Sequence, residues 1–355
     1  MHTIRDLVWP ERAGEPSAAG VAFRAAAALA ERVYGPRFAG TSSLTLDEQL
    51  AAWRPTAAED HLVRVVGPAD APLALSTSWL PLLESTDVLD HGLVIDPALP
   101  AASRAELAEL LVDDVCRVAA ARGRAVVMGG SPAAPTGDVM AATGFGGADA
   151  DDPEAAPLIA RGFVLEQVYR VSVADLRRMP DLDARLGAAR AEAADYATVA
   201  WDGETPAEHR VAMRSLHERM STDAPIAGLA LEPEVWSDER LAEFERSKTA
   251  GGRVMRTVAV RHEPSGELVG FTSLFIGSGD VARQHDTLVV REHRGHGLGM
   301  LLKLANLVEL RERHPTHPRV STWNAEENRH MLAVNEATGF EPVAYEGVWQ
   351  RKERS

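Results

Sequence analysis

Leu288-Val-Val-Arg-Glu-His-Arg294-Gly-His-Gly297-Leu-Gly299-Met-Leu-Leu-Lys303 joins a β-branched run to a run of helix formers through alternate glycines. The apolar residues Thr287–Val290 predict a strand, and the leucine-rich run to Arg313 predicts a helix whose first turn holds the glycines. Glycine lets main-chain N–H groups approach a ligand closely, and a helix start carries unsatisfied N–H groups and the positive end of the dipole. An anion, and a pyrophosphate in particular, suits that combination. The spacing is not the Gly-x-Gly-x-x-Gly of dinucleotide folds, and no Gly-Lys-Ser/Thr follows as in nucleotide-hydrolysing loops.

Outward from this turn the second half predicts helices at about 182–194, 206–220 and 233–250, then strands at 254–261 and 268–276. After the glycine turn come a strand at 319–323, a helix at 325–338 and a last strand ending at Gln350. The first half runs in the same order. Helices at 17–34, ended by Gly35-Pro36, and at 46–53 precede short strands at 61–66, 74–79 and 92–95, a helix at 103–122 and a strand at 125–128. Leu93-Val-Ile95 and Leu288-Val-Val290 lie 195 residues apart, and each opens a crossover helix, so the chain reads as an internal repeat with its boundary near Asp175. Arg161-Gly-Phe163 is the preferred counterpart of Thr338-Gly-Phe340, which makes 131–152, rich in Gly, Pro, Ala and Asp, an insertion in copy one.

At 355 residues the chain exceeds what one core usually serves, in keeping with two domains. Its 52 acidic and 37 basic residues give a net charge of −15, which disfavours nucleic acid and membrane surfaces as partners. The lone Cys116 excludes an intrachain disulfide and reads as a small buried apolar residue. Asp6 and Glu11 interrupt what a signal peptide would need, and apolar runs fall short of the ~20 residues of a membrane span, so a cytoplasmic location is expected. His293, His296, His314 and His317 form pairs spaced three apart, but no cysteine or carboxylate partner recurs beside them and no metal site is expected.

Arg294, Gly297 and Gly299 fit the pattern Arg/Gln-x-x-Gly-x-Gly/Ala, and Thr322-Trp-Asn324-x-x-x-Asn328-x-x-Met331-x-x-Val334-Asn335-x-x-x-Gly339-Phe340 follows in order. On these residues the second half resembles a GNAT-type N-acetyltransferase, and the whole chain resembles the tandem two-copy bacterial (actinobacterial-like) type with a degenerate first copy. The resemblance implies an α/β (α+β) fold of two tandem GNAT-like domains, each a mixed twisted sheet flanked by helices. Residues 176–355 would hold acetyl-CoA, while residues 1–175 would bind none, because Asp96-Pro-Ala-Leu-Pro100 replaces the glycines. It also implies main-chain contacts from Leu288, Val289 and Val290 to the pantetheine and acetyl oxygen. The pyrophosphate would rest on Arg294, Gly295, His296, Gly297, Leu298, Gly299 and Met300, with Asn324 and Asn328 as further cofactor contacts.

Acyl transfer from a thioester to an amine calls for a base, an oxyanion donor and an acid for the departing thiolate. His285 is the candidate base, and Asp286 the candidate anchor for an ammonium, on opposite faces of the strand if alternation holds. The family's acid, a tyrosine seven residues after the first helix Asn, is replaced by Asn335, which has no proton to give. Asn335 as a hydrogen-bond donor to sulfur, Tyr345 reaching in from the last strand, and unassisted departure are the three alternatives. Asp223, in a stretch where the family places substrate loops, is a candidate for amine recognition, and Lys303 and Arg291 either assist the phosphates or face solvent. The expected reaction is acetyl transfer from acetyl-CoA to the primary amine of a small molecule or peptide by direct attack, in a monomer or homodimer. A non-catalytic acyl-CoA-binding or sensing protein is the alternative, and a nicotinamide-dependent enzyme a more distant third.

Overall fold

The computed structural model describes residues 3–223 and 225–352. The first half contains β1 (Ile4–Asp6), α1 (Ala18–Arg37), α2 (Leu46–Trp53), β2 (Glu59–Val66), β3 (Ala74–Pro81) and β4 (Val88–Ile95). It continues through α3 (Ala101–Ala121), β5 (Val126–Pro132), the small hairpin β6 (Val139–Met140) and β7 (Gly147–Ala148), α4 (Ala155–Ala160) and β8 (Val164–Asp175). The second half contains α5 (Leu182–Glu192), β9 (Tyr196–Asp202), α6 (Arg210–Asp223), α7 (Asp238–Thr249), β10 (Val254–His262) and β11 (Leu268–Ile276). It ends with β12 (Val281–Val289), α8 (Leu298–Arg313), β13 (Arg319–Ala325), α9 (Arg329–Thr338) and β14 (Glu341–Lys352).

Local chemistry accounts for several of these boundaries. Ser17 accepts from the Gly20 N–H and starts α1, while Thr45 and Glu48 form a reciprocal capping box on α2. Helix α1 passes the predicted stop at Gly35-Pro36, because its last turn closes through Phe38 N–H to Tyr34 C=O at 3.0 Å. Strands β1 and β9, both short or only partly buried, gave too little apolar alternation to be read from the sequence.

The repeat is visible in the register. Val88 pairs with Val126 in the parallel pair β4–β5, and Arg283 pairs with Ser321 in the parallel pair β12–β13, both residues of each pair displaced by 195. The insertion at 131–152 holds the β6–β7 hairpin, and α4, Phe163 and β8 then stand in for α9, Phe340 and β14.

The halves do not separate at Asp175. All main strands form one sheet in the order β1-β2-β3-β4-β5-β14-β8-β13-β12-β11-β10-β9. Strand β14, the end of the second copy, lies against β5, whereas β8, the end of the first copy, lies against β13, and the two exchanged strands pair antiparallel with each other. Trp349 of β14 is accordingly part of the core built on α3, and Ala174 of β8 part of the core built on α5 and α8. Sequence order alone carries no signal for such an exchange, because either copy's last strand satisfies the same edge.

Candidate active site

Strands β12 and β13 are hydrogen-bonded only at Val281–Arg283 and Arg319–Ser321, and beyond these residues they part. The gap leaves one edge of β12 without a strand neighbour, and α8 starts where β12 ends. Gly295 and Gly297 take φ of +86° and +67°, a conformation that side chains with a Cβ resist, and Gly297 forms the N-cap of α8. From Gly295 to Met300 no backbone N–H donates to a backbone carbonyl among the described residues. The first bond of the helix runs from Leu301 N–H to Gly297 C=O at 3.0 Å. A Cβ at Gly295 would meet nothing within 4 Å, and one at Gly299 only Val334 at 4.0 Å, so the turn is bare where an anion would approach. One acid faces it: a Cβ at Gly297 would lie 3.2 Å from the Glu192 carboxyl carbon.

Arg294 donates from Nε to Val289 C=O at 3.0 Å and from Nη2 to Asp223 Oδ2 at 2.6 Å, while Arg291 approaches the other Asp223 oxygen at 3.2 Å. Asp223, expected in the amine site, instead sits at the end of α6 as the counter-ion of both arginines, drawn there by two cations within reach. Leu288, Val290 and Leu298 bury their side chains in the core, and Val289 and Met300 pack against it, so any ligand contact from this strand is main-chain. His296 packs its ring 5.6 Å from that of Tyr196. The set fits a pyrophosphate: unpaired N–H groups on a helix start, no side-chain bulk, and two arginines poised beside it.

Behind this turn a cavity of about 1430 Å³ lies between the two halves. His285, Asp286, Thr287, Asn324 and Asn328 line it from the second half, and Tyr34, Trp79 and Asp90 from the first. In the β11–β12 pair, Thr272 faces Thr287 and Leu274 faces Gln284, so the lone Ser273 stands opposite both His285 and Asp286. This bulge overrides the alternation expected for neighbours and brings both side chains into the cavity, with His285 Nδ1 3.1 Å from Asp286 Oδ2. Burial pushes the Asp286 carboxyl up, but His285 beside it, with His217 and Lys248 farther off, holds it below the ordinary carboxylate range.

Asn335 is buried and donates from Nδ2 to Asn324 Oδ1 at 2.6 Å, so these two amides hold each other between β13 and α9. Asn328 caps α9 by accepting from the Met331 N–H at 3.2 Å while also lining the cavity. Tyr345 is absent from the cavity lining. It packs against the first half's core and interacts with Arg170, whereas its neighbour Glu346 takes the cavity face of β14. Strand alternation at the exchanged β14 therefore removes Tyr345 as a proton donor to the gap.

Three cavity groups, His217, Asp90 and Glu346, carry no motif and were not singled out as site residues. His217, stacked 4.3 Å from Trp236, is lowered to about 4 by burial and is neutral near pH 7. Asp90 and Glu346 are raised to about 6 and about 7, by burial first, and both are open to the cavity although protein surrounds them. Lys303, expected against phosphate or solvent, is 1% exposed and lines the cavity, with its Nζ 5.5 Å from the Phe340 ring centre. A lysine within a leucine-rich buried helix was the one available signal. Among the described residues no three His, Cys, Asp or Glu side chains gather as a metal would require.

No protein-family model matches the chain, and no curated protein matches its sequence. Solved structures do. A tandem GNAT protein from the clavulanic acid biosynthesis pathway is 25% identical, with a TM-score of 0.73 over 100% of this chain and 99% of that one. A GCN5-related N-acetyltransferase from Sphaerobacter thermophilus is 13% identical, with a TM-score of 0.64 over 100% of this chain and 96% of its own. A glucosamine N-acetyltransferase region of a fungal multi-domain β-N-acetylglucosaminidase aligns with 99% of this chain and 38% of that protein, at 11% identity and a TM-score of 0.60. Taken with the register-exact repeat and the glycine turn at the parting of β12 and β13, this whole-chain likeness shows that the protein has the tandem GNAT fold.

Proposed function

We propose that the protein transfers an acetyl group from acetyl-CoA to a primary amine by direct attack, with one donor site per chain in the second half. The observation that carries this reading is the row of unpaired N–H groups from Gly295 to Met300, set where β12 and β13 part. Those N–H groups, with Arg294 and Arg291, would hold the pyrophosphate of the donor, and the free edge of β12 would hold the pantetheine arm. Acetyl-CoA supplies the activated thioester when bound. His285 takes the proton of the attacking amine, directly or through a water, and Asp286 fixes the imidazole.

The first half serves as the far wall of the acceptor cavity. Its counterpart of the glycine turn runs through Asp96, Pro97 and Pro100, and α3 starts there without a side-chain cap. Arg32 pairs with Asp96, and Arg37 with Glu154, at the same place. A second anion cradle is therefore not part of the proposal.

Thiol release from acetyl-CoA in the presence of a panel of small amines, amino acids and peptides tests the reading. Release dependent on an amine supports it. Tight binding of CoA with no turnover on any amine would favour the sensing alternative, for which the loss of the family's tyrosine at Asn335 is the supporting observation.

A further inference from the structure

Only three of the 37 basic residues are lysines, and two of the three, Lys248 and Lys303, line the cavity. Arginine keeps its charge wherever it is put, whereas a buried lysine can lose its proton near neutrality. Lys248 lies between aromatic rings, 5.1 Å from the centre of Phe244 and 5.9 Å from that of Phe275. Lys303 sits in the second turn of α8, the helix whose first turn bears the glycine cradle, and its neighbours Leu301, Leu302, Leu304 and Ala305 are all core. With Thr287, Asn324, Asn328 and Met331 it lines the cavity at the gap between β12 and β13.

The geometry points to Lys303 as the proton donor to the sulfur of the departing CoA, the role that Asn335 is unable to fill. This assignment rests on the proposed acetyl transfer at the same site. As the amine nitrogen bonds to the acyl carbon, the C–S bond breaks and its electron pair stays on sulfur. Lys303 passes one Nζ proton to that sulfur. The surplus proton of the amine leaves by His285 or water, and Lys303 takes a proton from cavity water before the next turnover. Burial alone lowers the Lys303 ammonium to about 7, with no charged neighbour contributing. Donation to a thiolate, whose thiol has an ordinary pKa of about 8.5, is therefore downhill. Asn335 spends an amide N–H on Asn324, and Tyr345 is outside the cavity, so neither competes for the role.

The test uses the full chain, with CoA binding read by calorimetry and kcat for acetyl transfer read across pH. Wild type is expected to bind CoA and to lose kcat as pH rises into the alkaline range, where Lys303 no longer carries the proton. Lys303→Met, which replaces a buried charge by an apolar chain of similar length, is expected to bind CoA within about threefold. It should lower kcat by ~10²-fold or more and lack that alkaline decline. Lys303→Arg is expected to turn over slowly without such a decline, since a guanidinium does not release its proton. Circular dichroism and the calorimetric affinity show whether each variant is folded. CoA binding with an unchanged kcat and pH profile in Lys303→Met would overturn the assignment while leaving the acetyltransferase reading intact. Failure of wild type to bind CoA would instead overturn the reading on which it rests.

Discussion

His285 Nδ1 lies 3.1 Å from Asp286 Oδ2, although the two are neighbours in a strand, because β12 bulges opposite Ser273. A regular strand would have sent one of them away from the cavity. With the carboxylate holding one ring nitrogen, Nε2 is left for the acceptor amine. His285→Ala is expected to lower kcat/KM by about 10²- to 10⁴-fold, as for loss of a general base. Asp286→Asn is expected to lower kcat/KM by less, since the imidazole keeps its place in the strand but loses its anionic partner. Steady-state rates check both, and an unchanged kcat/KM in Asp286→Asn would contradict the pairing's role.

Asp223 pairs with both Arg294 and Arg291 beside the glycine turn, and an anion bound there would compete with it for them. Asp223→Ala is expected to tighten CoA binding by about 2- to 5-fold at low ionic strength, the scale of one surface charge pair. The gain should fade in high salt, where such interactions are screened. Calorimetric titration at two salt concentrations measures this.

How far the sequence foretold this protein depends on which kind of signal each feature carries. The glycine turn, helix α8 and the repeat at 195 were legible, since residue spacing encodes strand-to-helix turns and amphipathic faces. The bulge at His285 was not, because one extra residue in a ladder leaves the composition of the strand unchanged. Nor was the position of Asp223, whose partners lie about 70 residues downstream on another element, nor the exchange of β8 and β14, whose edges are interchangeable. Lys303 could be noticed but not placed: only the packed helix tells a buried lysine from a solvated one.

Trp349 of β14 is fully buried and donates from Nε1 to Ser131 Oγ at 2.8 Å on β5, across the boundary between the copies. Because each half thus completes its sheet with the other's strand, the chain is expected to unfold in one cooperative transition. Trp349→Ala should shift that whole transition, at a cost of about 3–5 kcal/mol. Chemical denaturation followed by fluorescence and circular dichroism checks the prediction. Two separate transitions, only one of them shifted, would contradict it.

Glu346 keeps its proton up to about 7 in the folded chain against an ordinary 4.5, chiefly through burial, with Arg37 opposing and Asp90 adding to the rise. The folded state therefore binds more protons than the unfolded one between these values. This contribution to stability is complete below the lower value and is lost as pH rises through the upper one. Glu346→Gln is expected to match wild type at about pH 4 and to exceed it at about pH 8. Denaturation midpoints at the two pH values provide the comparison.

Calorimetric titration of CoA into the wild-type chain and into Gly297→Glu tests the central claim most directly. The substitution puts a carboxylate into a left-handed turn already facing Glu192, where the phosphates would rest. One site per chain in wild type and none in a folded Gly297→Glu is the predicted result. Equal binding by both proteins, or two sites per wild-type chain, would contradict the account.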